Sequence, residues 1–482
     1  MNHPAAKFPI PSSLQDLEHP PYNLLPYPND FDDDNEAARA QSFDRLVEFL
    51  NDGTKALTRY GIQLFVTEDG DDDEPWLDTY RMQTLYTLVR KSASLATRTR
   101  SNFISALSRT VHQLCHILEQ GNNQSTATKT LPPSFRDAFT CHVYMLFSVM
   151  SAVESEIKVG KGLALPTTTS KKRGQEKDRS AATSKEDLAA QTASRAACAK
   201  AMLVAAQSMI LHKFQLWNHG VVQEDLVALP CQISYLILEN STNSITRRAS
   251  FGDEALAILA STVQLPSMIS PIIASLMDLL HTHEHIAPLV AELCTLEYAA
   301  NHNLSRLAME LFREIGRMNV VEGKASGSKY VAPFLSELAS RKPKLVLAHI
   351  GLVLSHLNSE SYIFRSSIVT TIGYILTRSD SEEDNANVAK EKGDFVTDDD
   401  ESPDHGSCIQ KTRDSLFDLL TERIHDVSSY TRAAVLKAWV HLIENDSIPA
   451  ERFLSVTRLA IDRLQDKTVI VRKNALQVRI SN

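Results

Sequence analysis

The chain has 482 residues, 43% of them hydrophobic and 23% charged, the balance of a folded, soluble protein. Its formal charge of −9 sits in one stretch: Asp380 to Asp404 holds eleven acids and two lysines, so the remainder is close to neutral and nucleic-acid binding by the folded part is not excluded. Six scattered cysteines without a C-x-x-C pair argue against a disulfide framework or a zinc cluster, and apolar runs such as 143–153 and 271–280 are too short to span a bilayer.

In chain order, residues 1–36 form a Pro-rich segment ending in "DFDDDNE", with no basic region followed by an apolar core, so no secretory signal is expected. Residues 37–157 read as an N-terminal helical domain. Phe43, Leu46, Val47 and Leu50 fall at i, i+3, i+4 and i+7; Tyr80, Leu85, Leu88 and Val89 follow a similar spacing; and a third helix ends at a glycine stop, Gly121. A short acidic loop at 68–75 interrupts them. Residues 158–187 carry eight basic and four acidic side chains with almost nothing apolar to bury, which predicts a disordered Ser/Thr-rich linker. HEAT-like helices are expected over 188–378, an acidic disordered insert over 379–408, and further repeats over 409–482. No period-2 strand is found, so the predicted class is all-α.

The repeat is visible in "RIHDVSSYTRAAVLKA" and "RLQDKTVIVRKNALQV". Arg423/Arg463, Asp426/Asp466, Arg432/Arg472 and Leu436/Leu476 are each 40 residues apart. A third copy surrounds Arg365, which precedes Arg432 by 67 residues, one period plus an insert of 27. Looser copies lie around Arg306 and Arg247. A period near 40 with two helices per unit signals a solenoid of HEAT or armadillo-like repeats, in which stacked units bury one continuous core. In each unit a first helix supplies residues such as Leu416, Leu419 and Leu420, and a turn carries the Asp. A second helix, starting near Tyr430, buries Val435, Leu436 and Trp439. The Asp is placed to accept backbone N–H groups at the start of that helix. The Arg six positions later is placed to reach the Asp of an adjacent unit, giving a ladder of Arg365, Asp426, Arg432, Asp466 and Arg472. A reacting Asp/Arg pair is the competing reading, but a reacting pair has no reason to recur at a helical-repeat interval.

Other motifs point away from chemistry. "VVEGKASGS" has Met318 where a phosphate-binding loop needs its first glycine, and no G-x-S-x-G occurs. In "HTHEH" His281 and His285 lie at i, i+4, but Ala287 stands where H-E-x-x-H needs its second His, so no metal and no cofactor is expected. Cys115–His116 and Cys141–His142 read as buried cysteines beside partly exposed histidines, and Trp217 and Trp439 as core. Residues 406–482 carry twelve Lys/Arg against nine Asp/Glu, so Arg432, Lys437, Arg472 and Lys473 are candidates for a stripe that meets phosphates without reading bases. Ordinary solvated helix faces are the plainer explanation. Lys171, Lys172 and Arg173 are candidate DNA contacts or a nuclear address, and Ser402, before Pro403, is a candidate phosphosite.

The wording of Leu419 to Gln477 is more specific than HEAT spacing. "HDV…R…VLKAW" followed by "IP…F…RLQDK…VRKNA", with "SYIFRSSIVTTIGYIL" at 361–376 and "FPIPSSLQDLE" at 8–18 in the same order, resembles the condensin subunit 1 family, the D-type regulatory subunits of the condensin that compacts mitotic chromosomes. The resemblance implies a non-catalytic HEAT scaffold that binds the kleisin subunit, approaches the SMC ATPase subunits and helps hold double-stranded DNA. It implies a place in the nucleus and on chromosomes, with a possible cytoplasmic pool and no membrane. Because subunits of this family are longer, the chain is expected to correspond to their N-terminal portion. Another HEAT scaffold, an importin-like transport receptor or a phosphatase scaffold, shares the fold and is the alternative.

Overall fold

The computed structural model describes residues 36–65, 97–123, 131–163, 185–216, 224–241, 251–296, 302–318, 328–377 and 404–481. Among them there are helices and no strand. None of these helices is long and apolar enough to cross a membrane. The chain divides into two compact units, meeting at Ser275/Leu276.

The first unit contains α1 (Glu36–Tyr60), a 3-10 turn (Gly61–Phe65), α2 (Thr97–Asn123), α3 (Pro133–Leu163), α4 (Lys185–Leu211), α5 (Glu224–Asn240), α6 (Gly252–Thr262) and the start of α7 (Pro266–Thr282). α1, α2, α4 and α6 pack in succession, while α3 and α5 pack on each other and cover that row. Spacing explains α2: Phe103, Leu107, Val111, Leu114 and Leu118 fall every three or four residues and all are fully buried. The helix runs past Gly121 to Asn123, so the expected glycine stop is not one. One interior glycine costs a helix only about 1 kcal/mol, too little to end 27 residues otherwise held by packing. α3 differs, because every residue from Cys141 to Phe147 is buried. His142, expected to be partly exposed, lies inside for that reason.

The second unit is a regular stack. α8 (Ile286–Thr295), α10 (Ser328–Arg341), α12 (Tyr362–Leu376), α14 (Ser429–Glu444) and α16 (Val469–Ser481) pack each on the next. Outside this row lie α9 (His302–Arg317), α11 (Pro343–His349), α13 (Asp404–Glu422) and α15 (Ala450–Asp462). The second-layer helices of each pair are thus the shared core. Val435, Leu436, Trp439 and Leu442 of α14 are wholly buried, as are Phe364, Ile368, Val369 and Ile372 of α12. The approach is close at Gly373, where an added Cβ would come within 2.8 Å of the Ala438 Cβ.

The loose copy around Arg306 is not a member of the stacked row. Arg306 is exposed on the flanking helix α9, and the stacked helix of that pair is α10. Apolar spacing alone does not separate the two helices of a pair, because both bury a stripe. Of the expected linker 158–187, residues 158–163 continue α3 and 185–187 begin α4; the rest lies outside the described residues. Likewise residues 404–408 of the acidic insert begin α13, and the remainder of the insert lies outside. The segments 1–35 and 66–96, Trp217, Lys171, Lys172, Arg173 and Ser402 also fall outside.

Candidate functional site

The turns that lead into α14 and α16 are built alike. In each, a 3-10 turn (Arg423–His425 or Arg463–Gln465) ends on an aspartate whose N–H donates to the carbonyl of the turn's arginine at 3.1 Å. Asp426 Oδ1 then accepts the Ser428 N–H at 2.8 Å, and Asp466 Oδ1 accepts the Thr468 N–H at 3.0 Å and its hydroxyl at 2.9 Å. These bonds satisfy donors that a helix start leaves open.

The same carboxylates receive arginine forks from the preceding unit. Arg365 on α12 donates from Nε to Asp426 Oδ2 at 3.0 Å and from Nη2 to Oδ1 at 3.1 Å. Arg432 on α14 donates to Asp466 Oδ2 at 2.8 Å and Oδ1 at 3.0 Å. The remaining nitrogen of each fork, Nη1, donates to two carbonyls of its own turn: Ser359 and Glu360 for Arg365, Asp426 and Val427 for Arg432. In both rungs the arginine side chain is 13% exposed and the aspartate 4%, so these are largely desolvated bidentate pairs rather than surface ion pairs. The Arg432 hydrogen bonds hold the Asp466 carboxyl well below the usual carboxylate range. Upstream the ladder has an end: Ser359 occupies the turn position that Asp426 fills one unit later.

A second arginine series runs the other way and was not assigned a role from sequence. Arg423 donates to the Leu357 carbonyl at 3.0 Å and to Asn358 Oδ1 at 2.9 Å, and Arg463 Nη2 lies 2.7 Å from His425 Nδ1. Each reaches back to the turn of the unit before it. The only signal was the 40-residue coincidence of Arg423 and Arg463; their partners, a backbone carbonyl among them, leave no mark in sequence. Beside them an open cavity of about 760 Å³ is lined by Leu357, Tyr362, Arg365, Arg423, Val427 and Ser428. Tyr362 and Tyr430 stack at its edge, 5.1 Å between ring centres, and Val427 is 96% exposed.

Lys437 on α14 and Lys473 on α16 are exposed, but they are 36 residues apart and so sit one helical turn out of register with the 40-residue repeat. Arg432 is committed to the ladder. His281 lies near the end of α7 and His285 at the start of α8, so they do not share one helix, and no cluster of three His, Cys, Asp or Glu suited to a metal occurs among the described residues. Cys115, Cys141, Cys198, Cys231 and Cys294 are buried thiols; burial pushes Cys115, Cys231 and Cys294 up to about 12, which makes them poor nucleophiles. In the first unit one carboxylate is wholly buried. Glu154 on α3 accepts Arg195 Nε at 3.0 Å and Nη2 at 2.6 Å, and Asn240 Nδ2 at 2.9 Å. It ties three helices together.

Stacked helix pairs locked by arginine–aspartate rungs define a HEAT-type helical-repeat scaffold. Residues 97–265 match the family model described as non-SMC mitotic condensation complex subunit 1, N-term. Condensin complex subunit 1 of Mus musculus is 30% identical over 273 residues, covering 55% of this chain and 18% of that protein. The Homo sapiens protein of the same name is 28% identical over 268 residues, with the same coverage. Condensin-1 complex subunit CAP-D2 of Arabidopsis thaliana is 25% identical over 430 residues, 87% of this chain and 27% of that one. A solved structure of importin beta in an ammonium sulfate condition aligns with 92% of this chain and 63% of its own, at 12% identity and a TM-score of 0.22. The fold assignment rests on the repeat geometry, not on that alignment. The chain is thus similar to condensin complex subunit 1 proteins, and it spans roughly a fifth to a quarter of the length of these curated relatives.

Proposed function

We propose that this chain is part of a non-catalytic regulatory scaffold of condensin, which binds the kleisin subunit, approaches the SMC ATPase subunits and contributes to engaging double-stranded DNA during mitotic chromosome condensation. The observation that carries the reading is the match to condensin subunit 1 proteins across animals, a plant and yeasts. The geometry supports it: the chemistry-bearing side chains brought together in the second unit are spent on one another in the ladder. A stack fixed in this way presents a surface of constant shape, on which a partner segment binds without ordering the scaffold at the same time. Lys437 and Lys473 are proposed to meet DNA phosphates, with Lys171, Lys172 and Arg173 as further contacts, and Ser402 as a site where a proline-directed kinase adds charge. The place of action is the nucleus and the chromosome, with a cytoplasmic pool. Co-elution of the purified chain with a kleisin segment from a sizing column tests it. Separate elution, with helical circular dichroism intact, would sink the reading. DNA engagement is checked by a gel shift whose affinity falls as salt rises.

A further inference from the structure

Charge divides between the two layers of the second unit. Across the stacked helices α12, α14 and α16 the sole acid is Glu444, the last residue of α14, whereas the flanking α13 and α15 carry six. One stripe of the stacked helices is left half-buried to exposed. In it Thr370, Lys437 and Gln477 hold one repeat position, 67 and then 40 residues apart, and Tyr374 and His441 hold the position one turn on. The last two rings meet edge-on, 5.2 Å between centres. Lys473 lies one turn before Gln477 on the same stripe. Lys437 and Lys473 are exposed and have no acidic partner among the described residues. This face of the stack is cationic, and its own helices supply nothing to neutralise it.

The stripe leads straight into the most acidic part of the sequence. Residues 380–403, which follow α12, hold ten acids and two lysines. Asp380 is six residues past Tyr374, a span of at most about 20 Å of extended chain. Arg413 of α13 donates to the carbonyls of Ile375 at 3.2 Å and Leu376 at 2.6 Å, so the chain returns to the end of α12 from which it left. We propose that the stripe is the docking face of the chain's own segment 380–403, whose carboxylates pair with Lys437 and Lys473. Charge complementarity selects the occupant. Its tether favours it over a second copy, because a short linker sets an effective concentration in the millimolar range. The docked segment competes with DNA phosphates for the same two lysines; that consequence rests on the DNA contact proposed above, and the docking does not.

The test acetylates the lysines of the full chain and reads each rate by mass spectrometry, beside a variant with asparagine and glutamine in place of the segment's acids. Lys437 and Lys473 are expected to label about threefold faster in the variant at about 50 mM salt, a difference that shrinks at about 0.5 M. Lys467, exposed on the turn before α16 and off the stripe, is expected to change less than about 1.5-fold. Unchanged rates at Lys437 and Lys473, or an equal gain at Lys467, overturn the proposal. Carbodiimide coupling of mixed heavy-isotope and light chains is expected to join either lysine to the segment within one copy; links found only between copies overturn it. In a gel shift the variant is expected to hold a DNA duplex about tenfold tighter, and Lys437→Gln with Lys473→Gln to erase that gain. A gain that survives both substitutions is general repulsion and overturns the competition. Contact by labelling and coupling, with no duplex shifted by either chain, supports the docking and removes the DNA reading of the two lysines instead.

Discussion

The two units bury charge in different ways. The second repeats one solution, an arginine fork on an aspartate at the next turn, with the same exposure in both rungs. The first uses one-off contacts instead: Arg100 bonds both oxygens of Glu156, and the buried Glu154 gathers Arg195 and Asn240, residues 41 and 86 positions away. A repeated rung distributes rigidity along a stack; a one-off buried junction concentrates it at one carboxylate. The first unit is therefore the more vulnerable to one substitution and the second the more tolerant.

Glu154→Ala is the strongest way to break that contrast. It leaves Arg195 largely buried without its counter-charge and is expected to cost about 4 kcal/mol, measured by denaturant unfolding. A loss under about 1 kcal/mol would mean that the junction is not what holds α3, α4 and α5.

Acid should separate the units next. Burial lowers the His142 imidazole from 6.5 to about 4. The unfolded state therefore takes up a proton before the native state, so His142 costs the first unit nothing above pH 6.5. Stability then falls as pH drops toward 4, by about 3 kcal/mol in total. The Asp466 carboxyl is lowered instead by Arg432, so its contribution is whole above the usual carboxylate range and is lost only as pH falls through and below it. Urea unfolding from pH 7 to 4 should show the first unit weakening first, and His142→Leu should flatten that slope.

Arg432→Ala should cost about 3 kcal/mol, and Arg432→Ala with Asp466→Ala together less than the sum of the two, as a double-mutant cycle would show. The smallest effect on stability belongs to Lys437→Glu with Lys473→Glu, within about 0.5 kcal/mol, while the slope of log DNA affinity against log salt drops by about 2.

What the sequence shows follows the same contrast. Asp426, Arg432, Asp466 and Arg472 are legible because a stack reuses them at one interval, and Arg365 because the offset equals one period plus the insert. Glu154 was missed because a one-off contact has no period, and a glutamate in an apolar helix looks like any solvated residue. His142 was misjudged because its neighbours are apolar on all sides of α3, which only the packing reveals. The stretch around Arg306 reads as a loose copy of the repeat although it lies on a flanking helix, because both helices of a pair carry an apolar stripe.

The central claim, a condensin scaffold, is tested most directly by recovering the tagged chain from mitotic nuclear extract and identifying its companions by mass spectrometry. The account predicts SMC ATPases together with a kleisin subunit. Recovery of a transport GTPase or a phosphatase catalytic subunit in their place, by a chain with intact helical content, would contradict it.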